Sequence, residues 1–329
     1  MNNPSQPPVL DPAVQKLLDE FASTPGPKIH ELPVEDARHV FLDMQSISIP
    51  KLPADIEDHT LPIGPRGSVL IRIVKPQGIA GPLPAVMYFH GGGWVVGDRE
   101  THDRLLRELA NGANAAIVFV EYSRSPESCY PIANEEAYAA TQWIAEHGDE
   151  LGLDSNRLAL AGDSAGGNMA TVVSMLAKQR GGPNIDLQIL FCPTLDASTD
   201  PESYRQFGAG YALDLEAMEW FWNHYFSASE VRFEPTASPL RASLQQLAEL
   251  PPTLIITAEC DVLRDEAEVF AGKLMQAGVQ VTATRYLGTI HDFMVHNALA
   301  EMPATRAAVA QANAALRQVF HSRAERVAA

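Results

Sequence analysis

Residues 158–167 read Leu158-Ala159-Leu160-Ala161-Gly162-Asp163-Ser164-Ala165-Gly166-Gly167, an apolar run that ends on a serine set among glycines. Helical spacing follows at once, with Met169, Val172, Val173 and Leu176 recurring at i, i+3, i+4 and i+7. Strand, tight turn and helix in that order are the context of a nucleophile elbow, and G-x-S-x-G is its turn. The glycines have a physical reason: a serine held on a strained turn needs neighbours without side chains if strand and helix are to pack closely. The stretch predicts a sheet of parallel strands covered by helices, with Ser164 at the carboxyl end of one strand.

Working outward, short apolar runs recur at Ala85–Phe89, Ala115–Val120, Leu187–Phe191, Thr253–Thr257 and Val281–Tyr286. Helical patterns near Asp103–Asn111, Glu135–Glu146, Gly166–Gln179 and Arg264–Ala277 separate them, the βαβ rhythm of a doubly wound α/β fold with a mostly parallel sheet. Val69, Ile71 and Ile73 alternate with polar neighbours as in a half-buried strand. Before about Ile56 no strand pattern is visible. Asp11-Pro12 reads as an N-cap and first helical residue, leading into Val14, Leu17, Leu18 and Phe21. Gly26-Pro27 breaks this helix, and Ala37, Val40, Phe41 and Met44 mark a second. The stretch from Ser198 to about Pro239 interrupts the rhythm with seven aromatics between Phe207 and Phe226, and Asp214 is a fitting N-cap inside it. The expected division is 1–52 for N-terminal helices, 53–197 and 240–329 for the α/β core, and 198–239 for an insertion. The insertion's aromatics read first as a small helical core. Their place after a sheet strand, where ligands bind in such folds, keeps substrate contact as the second reading.

The chain has 329 residues, 46% hydrophobic and 20% charged, which suits a globular protein with a sizeable core. Acidic residues outnumber basic ones 41 to 24, and the resulting net charge of −17 repels phosphate backbones and anionic bilayers. Nucleic acid and membrane are therefore not expected as partners. Cys129, Cys192 and Cys260 show no C-x-x-C spacing for a disulfide framework or zinc knuckle. The lead Met1–Pro8 has no basic start and no apolar stretch behind it, and no run approaches the ~20 apolar residues that cross a bilayer. A cytoplasmic protein is expected.

A serine nucleophile needs a base from elsewhere in the chain. His291 is best placed, five residues beyond the run Val281–Tyr286, whereas His296 reads as part of a following helix and His321 as the tail of the last one. A carboxylate must hold the imidazole tautomer. Asp261, just after Thr253–Thr257, is favoured over Asp196, and the order Ser164, Asp261, His291 is that of serine hydrolases on an α/β sheet. His90-Gly91-Gly92-Gly93-Trp94 follows another strand, and successive glycines leave backbone N–H groups bare for a developing oxyanion. A dinucleotide site is the rival reading. The spacing of Gly91, Gly93 and Gly97 is G-x-G-x-x-x-G, one residue too long, and no tyrosine is followed four residues later by lysine.

With these motifs assembled, the chain resembles the hormone-sensitive-lipase family of α/β-hydrolases, specifically its bacterial carboxylesterases. The resemblance spans nearly the whole chain: the N-terminal helices, His90–Gly93, Glu121-Tyr122 to Pro126-Glu127, the elbow, Asp261–Glu266 and His291. It implies a helical cap over an α/β-hydrolase core, and backbone oxyanion donors at Gly91, Gly92 and Ala165. Three departures stand out: Tyr122-Ser123-Arg124-Ser125-Pro126-Glu127 in place of Tyr-Arg-Leu-Ala-Pro-Glu, Val262 where proline commonly follows the acid, and Asp292 where a small residue commonly follows the histidine. A nearby Asp292 would bias the imidazole toward its charged form. The expected activity is hydrolysis of short- to medium-chain carboxylic esters with no cofactor or metal, and amidase or lactonase action on the same triad is the closest competitor. A binding protein on this scaffold that has lost the histidine is disfavoured by His291. Trp94, Asp163, Phe207 and Tyr211 are expected around the substrate, with fixing of the elbow as the other role for Asp163. Homo-oligomerisation is left open.

Overall fold

A single eight-stranded sheet runs in the order β1-β2-β4-β3-β5-β6-β7-β8 through the computed structural model, which describes residues 8–24 and 26–328. Met1–Pro7 of the lead sequence lie outside the described residues. The strands are β1 (Ala54–Leu61), β2 (Val69–Pro76), β3 (Leu83–Phe89), β4 (Ala116–Glu121), β5 (Leu153–Asp163), β6 (Leu187–Phe191), β7 (Thr253–Cys260) and β8 (Val281–Ile290). β1 pairs antiparallel with β2 and β2 antiparallel with β4, and every later pairing is parallel. β3 and β6 are buried at every residue, as strands covered on both faces must be. β1 is an edge strand with half its residues exposed, so its sequence carries no apolar alternation that would betray it.

The helices are α1 (Pro12–Ser23), α2 (Val34–Met44), α3 (Asp103–Ala113), α4 (Ile132–His147), α5 (Ala165–Arg180), α6 (Glu202–Phe207), α7 (Leu215–Tyr225), α8 (Leu244–Leu247), α9 (Arg264–Gln276) and α10 (Pro303–Ala328). Strand order assigns the core helices to faces. The chain steps from β3 to β4 in one direction, then from β4 across β3 to β5 in the other. Right-handed crossovers therefore put α3 on one face and α4, α5 and α9 on the opposite one. α10 packs on α3, so closely that a side chain at Gly112 would collide with Asn313. The reversal at β3 leaves a crevice at the carboxyl ends of the strands, where open α/β sheets place their ligands.

Two segments stand apart from this core: α1 and α2 before β1, and α6 and α7 between β6 and β7. Asp11 caps α1 by accepting from the Ala13 N–H at 2.8 Å, and Asp214 caps α7 by accepting from Ala217 at 2.8 Å. The turn between α1 and α2 meets the aromatic insertion, with Lys28 and His30 standing 2.9 and 3.5 Å from Asp214. α2 is drawn instead to core loops, because Arg38 donates to the carbonyls of Val95 and Ser125 and grips Glu127. Gln45 donates to the Val295 carbonyl and accepts from the Asn297 N–H. His296 is not helical as the spacing suggested. It precedes a short turn at Asn297–Leu299 because Gln45 and the buried Arg104 take up the Asn297 side chain, and α10 starts only at Pro303. Arg104 also donates to the carbonyls of Met294 and Val295 and pairs with Glu108.

The tightest backbone approach is at Gly166, where a Cβ would collide with the Phe89 carbonyl oxygen. Gly166→Ala is expected to destabilise the fold by about 2 kcal/mol or more, the size of overpacking in a core with no room to yield. A urea denaturation midpoint equal to wild type would show that the β3–α5 contact can relax.

Candidate active site

Ser164 joins β5 to α5 at φ 51° and ψ −117°, a left-handed conformation that a non-glycine residue adopts only when its surroundings enforce it. The Ser164 N–H donates to Phe191 O on the neighbouring strand, and its carbonyl accepts from Thr194 N. A side chain at Gly162 would meet the Gly166 carbonyl, so both glycines of the elbow are required by contact.

Strand ends bring the three predicted residues together. Ser164 Oγ lies 3.0 Å from His291 Nε2, and His291 Nδ1 lies 2.8 Å from Asp261 Oδ2. Asp261 Oδ1 accepts from the Leu263 N–H at 2.9 Å, which fixes the carboxylate's plane. Asp261 is 1% exposed, Ser164 6% and His291 8%. Asp196 sits elsewhere, bound to Arg241 at 2.9 Å. Burial opposes charge on His291, but Asp261 and Asp292 outweigh it and raise the imidazole well above its usual range. Asp292 Oδ2 stands 3.2 Å from the same Nε2 that faces the serine, and burial pushes this carboxyl up to about 6.

Next to the serine, Asp163 is buried, with its carboxylate engaged inside the protein. Its carboxylate accepts from Tyr88 OH at 2.7 Å, Gly91 N at 3.0 Å and His102 Nε2 at 3.2 Å. Burial works against its ionisation, yet His102 and the Tyr88 hydroxyl hold it below the usual carboxylate value. Asp163 thus fixes the elbow to the glycine loop, and the expectation of substrate contact is corrected. The same bond corrects Gly91: its N–H is already committed to Asp163 and points away from a reacting oxygen. Among the described residues no acceptor takes the N–H of Gly92, Gly93 or Ala165. That Gly93 and not Gly91 keeps its N–H free is not legible in the sequence, because three equivalent glycines do not announce which one a buried acid will claim.

Trp94 is fully buried, stacked on Tyr225 at 3.9 Å between ring centroids and tilted against Trp222. It builds the core beneath α7 and presents no free face to a pocket, contrary to expectation. Phe221 of α7 rests directly on Gly93, where no Cβ would fit. Phe207 is buried under the Arg264 guanidinium with Tyr211 edge-on to it, beside the Asp261 loop. Cys192 Sγ falls with ligand atoms of Asp261 and His291 within 4.8 Å of one another. Burial raises that thiol well above its usual range, and the acid and imidazole are bonded to each other, so the cluster reads as a wall of the site. No sequence signal marked Cys192 or His102.

A hydroxyl against an imidazole, the imidazole against a carboxylate, and free N–H groups alongside are the parts that acyl transfer requires. Known proteins share the fold and much of the sequence. Residues 86–295 match a family model described as alpha/beta hydrolase fold. A solved thermostable esterase from Pseudomonas putida is 45% identical, superposes with a TM-score of 0.94 and covers 96% of this chain and 99% of its own. The ethyl acetate hydrolase of Pseudomonas putida is 35% identical over 273 residues, 81% of this chain and 85% of that protein. Carboxylesterase NlhH of Mycobacterium tuberculosis is 34% identical over 317 residues, 96% of this chain and 98% of that protein. Fold, motifs and likeness over nearly its whole length agree: the chain belongs to the α/β-hydrolase family, in the hormone-sensitive-lipase-like branch that its sequence resembles.

Proposed function

We propose that this carboxylic ester hydrolase works through an acyl-enzyme on Ser164 and prefers esters of short to medium acids. The observation that carries the reading is the unbroken chain from Ser164 Oγ through His291 to Asp261. Ser164 Oγ attacks the ester carbonyl as its proton passes to His291 Nε2, and Asp261 stabilises the imidazolium through Nδ1. The negative oxygen is received by the N–H groups of Gly92, Gly93 and Ala165. Collapse breaks the bond to the alkoxy oxygen, which leaves as the alcohol with the proton from Nε2. Water then gives a proton to Nε2, attacks the acyl carbon and releases the acid, and Ser164 recovers its hydrogen.

Residues 1–52 and 198–239 together form the cap in this reading, around the α/β-hydrolase core of 53–197 and 240–329. Phe221 on the glycine loop, with Phe207 and Tyr211 near the acid, supports a lid that bounds the acyl chain. One relative is named for ethyl acetate, a short ester. No helix among the described residues is long and apolar enough to cross a membrane, and the three free cysteines support a cytoplasmic enzyme.

Ser164→Ala is expected to lower ester turnover by several orders of magnitude, up to ~10⁶, with an unchanged melting curve. Asp261→Asn should cost roughly 10⁴ by favouring the wrong tautomer, while Asp196→Asn leaves turnover near wild type. Steady-state kinetics on a p-nitrophenyl ester decides, and the reverse ranking of the two aspartates would reassign the acid. A second variant probes the cap: Arg38→Ala frees α2 from the loops at Val95 and Ser125. We expect turnover to fall about tenfold or more through misplacement of the glycine loop, and the chain-length profile to broaden while the fold survives. An unchanged ester series in the folded variant would remove α2 from the acyl site.

A further inference from the structure

His291 Nε2 faces two oxygens at once, Ser164 Oγ at 3.0 Å and Asp292 Oδ2 at 3.2 Å. A neutral imidazole whose Nδ1–H is given to Asp261 has only a lone pair at Nε2. That lone pair suits the serine O–H and repels an ionised carboxylate. If Nε2 carries a proton, it can donate to Asp292, and the serine then loses its base. The two contacts require opposite protonation states of one nitrogen. Asp292 is held in place by its backbone, at φ 50° in the left-handed region that aspartate tolerates better than most residues, and its other oxygen, Oδ1, is buried without a partner. That oxygen has no competing bond to pull the carboxylate away from the ring.

On the reading of the triad given above, we infer that Asp292 is a positioning residue that competes with Ser164 for His291 Nε2 and sets the pH at which the serine gains its base. Loss of one proton from the Asp292–His291 pair converts the resting contact into the productive one. Other ionisable groups surround the pair without making this contact. Asp261 is bonded to Nδ1 with Cys192 near by, and Asp163, Tyr88 and His102 are close enough to feel the Asp292 charge. His296 is held neutral by burial, its pKa lowered to about 4, with His291 and the Arg104 cation beside it. Burial works against charge on His291, and the two carboxylates overcome it. Removing one of them therefore makes the ring deprotonate at lower pH.

The test is the rate at which a fluorophosphonate labels Ser164 between pH 4 and 9, in the full chain, with the labelled peptide identified by mass. Asp292→Asn keeps the volume, and Asp292→Gly fits the left-handed backbone with no side chain. Both variants should move the acid limb to lower pH by about half a unit or more. An unmoved limb overturns the inference, including the case where labelling slows equally at every pH, since that is a structural effect. The wild-type enzyme supplies a measurement that needs no variant: nitrogen NMR of His291 should show Nε2 protonated below the acid limb and bare above it. An Nε2 already bare well below the limb overturns the inference. Label on a residue other than Ser164 would count against the nucleophile, and the NMR result would still decide the role of Asp292.

Discussion

The carboxylate of Asp163 holds the site together. It is 1% exposed and accepts three hydrogen bonds, from β3 through Tyr88, from the glycine loop through Gly91 and from the start of α3 through His102. An ionised acid in such a place would be costly without partners, and with them it is a strong, short-range tie between elements distant in sequence. Because it lies one residue before Ser164, the distance from that serine to the glycine loop is fixed by a single side chain. It also decides which N–H groups are left over, and these determine where negative charge can be received.

The periodic parts of this fold are legible in sequence because burial writes them there. β6 runs from Leu187 to Phe191 as its apolar run indicates, and the elbow, Asp261 and His291 lie at the strand ends where the pattern puts them. What escaped has no periodic signature. β1 is half exposed and lies on the sheet's edge, so nothing selects apolar residues along it. The choice of Gly92 and Gly93 over Gly91 turns on a tertiary bond. Trp94 shows the converse limit: an aromatic beside the glycines looks like a pocket wall, yet its ring is consumed by Tyr225 and Trp222. The amphipathic faces of α1 and α2 correctly demand a partner but do not say which one. For α2 Arg38 chose it, since its rigid donors find acceptors in the loop carbonyls of Val95 and Ser125 and in Glu127 that an aromatic surface does not offer.

The three residues of the proposed triad are anchored unequally. Ser164 and Asp261 stand at the ends of interior strands, whereas His291 follows β8, the outermost strand, and is carried on a loop. The loop owes its position to Arg104, which reaches from α3 to the carbonyls of Met294 and Val295 and to Asn297. Arg104 is in turn paired with Glu108, which also binds Arg306 at the start of α10. His291 is thus supported by the seam between two helices on one face of the sheet, outside the strand ladder itself. Heat that loosens this seam would displace the imidazole while the sheet still stands. The durability of activity on warming is then expected to follow the α3–α10 seam sooner than the hydrophobic core.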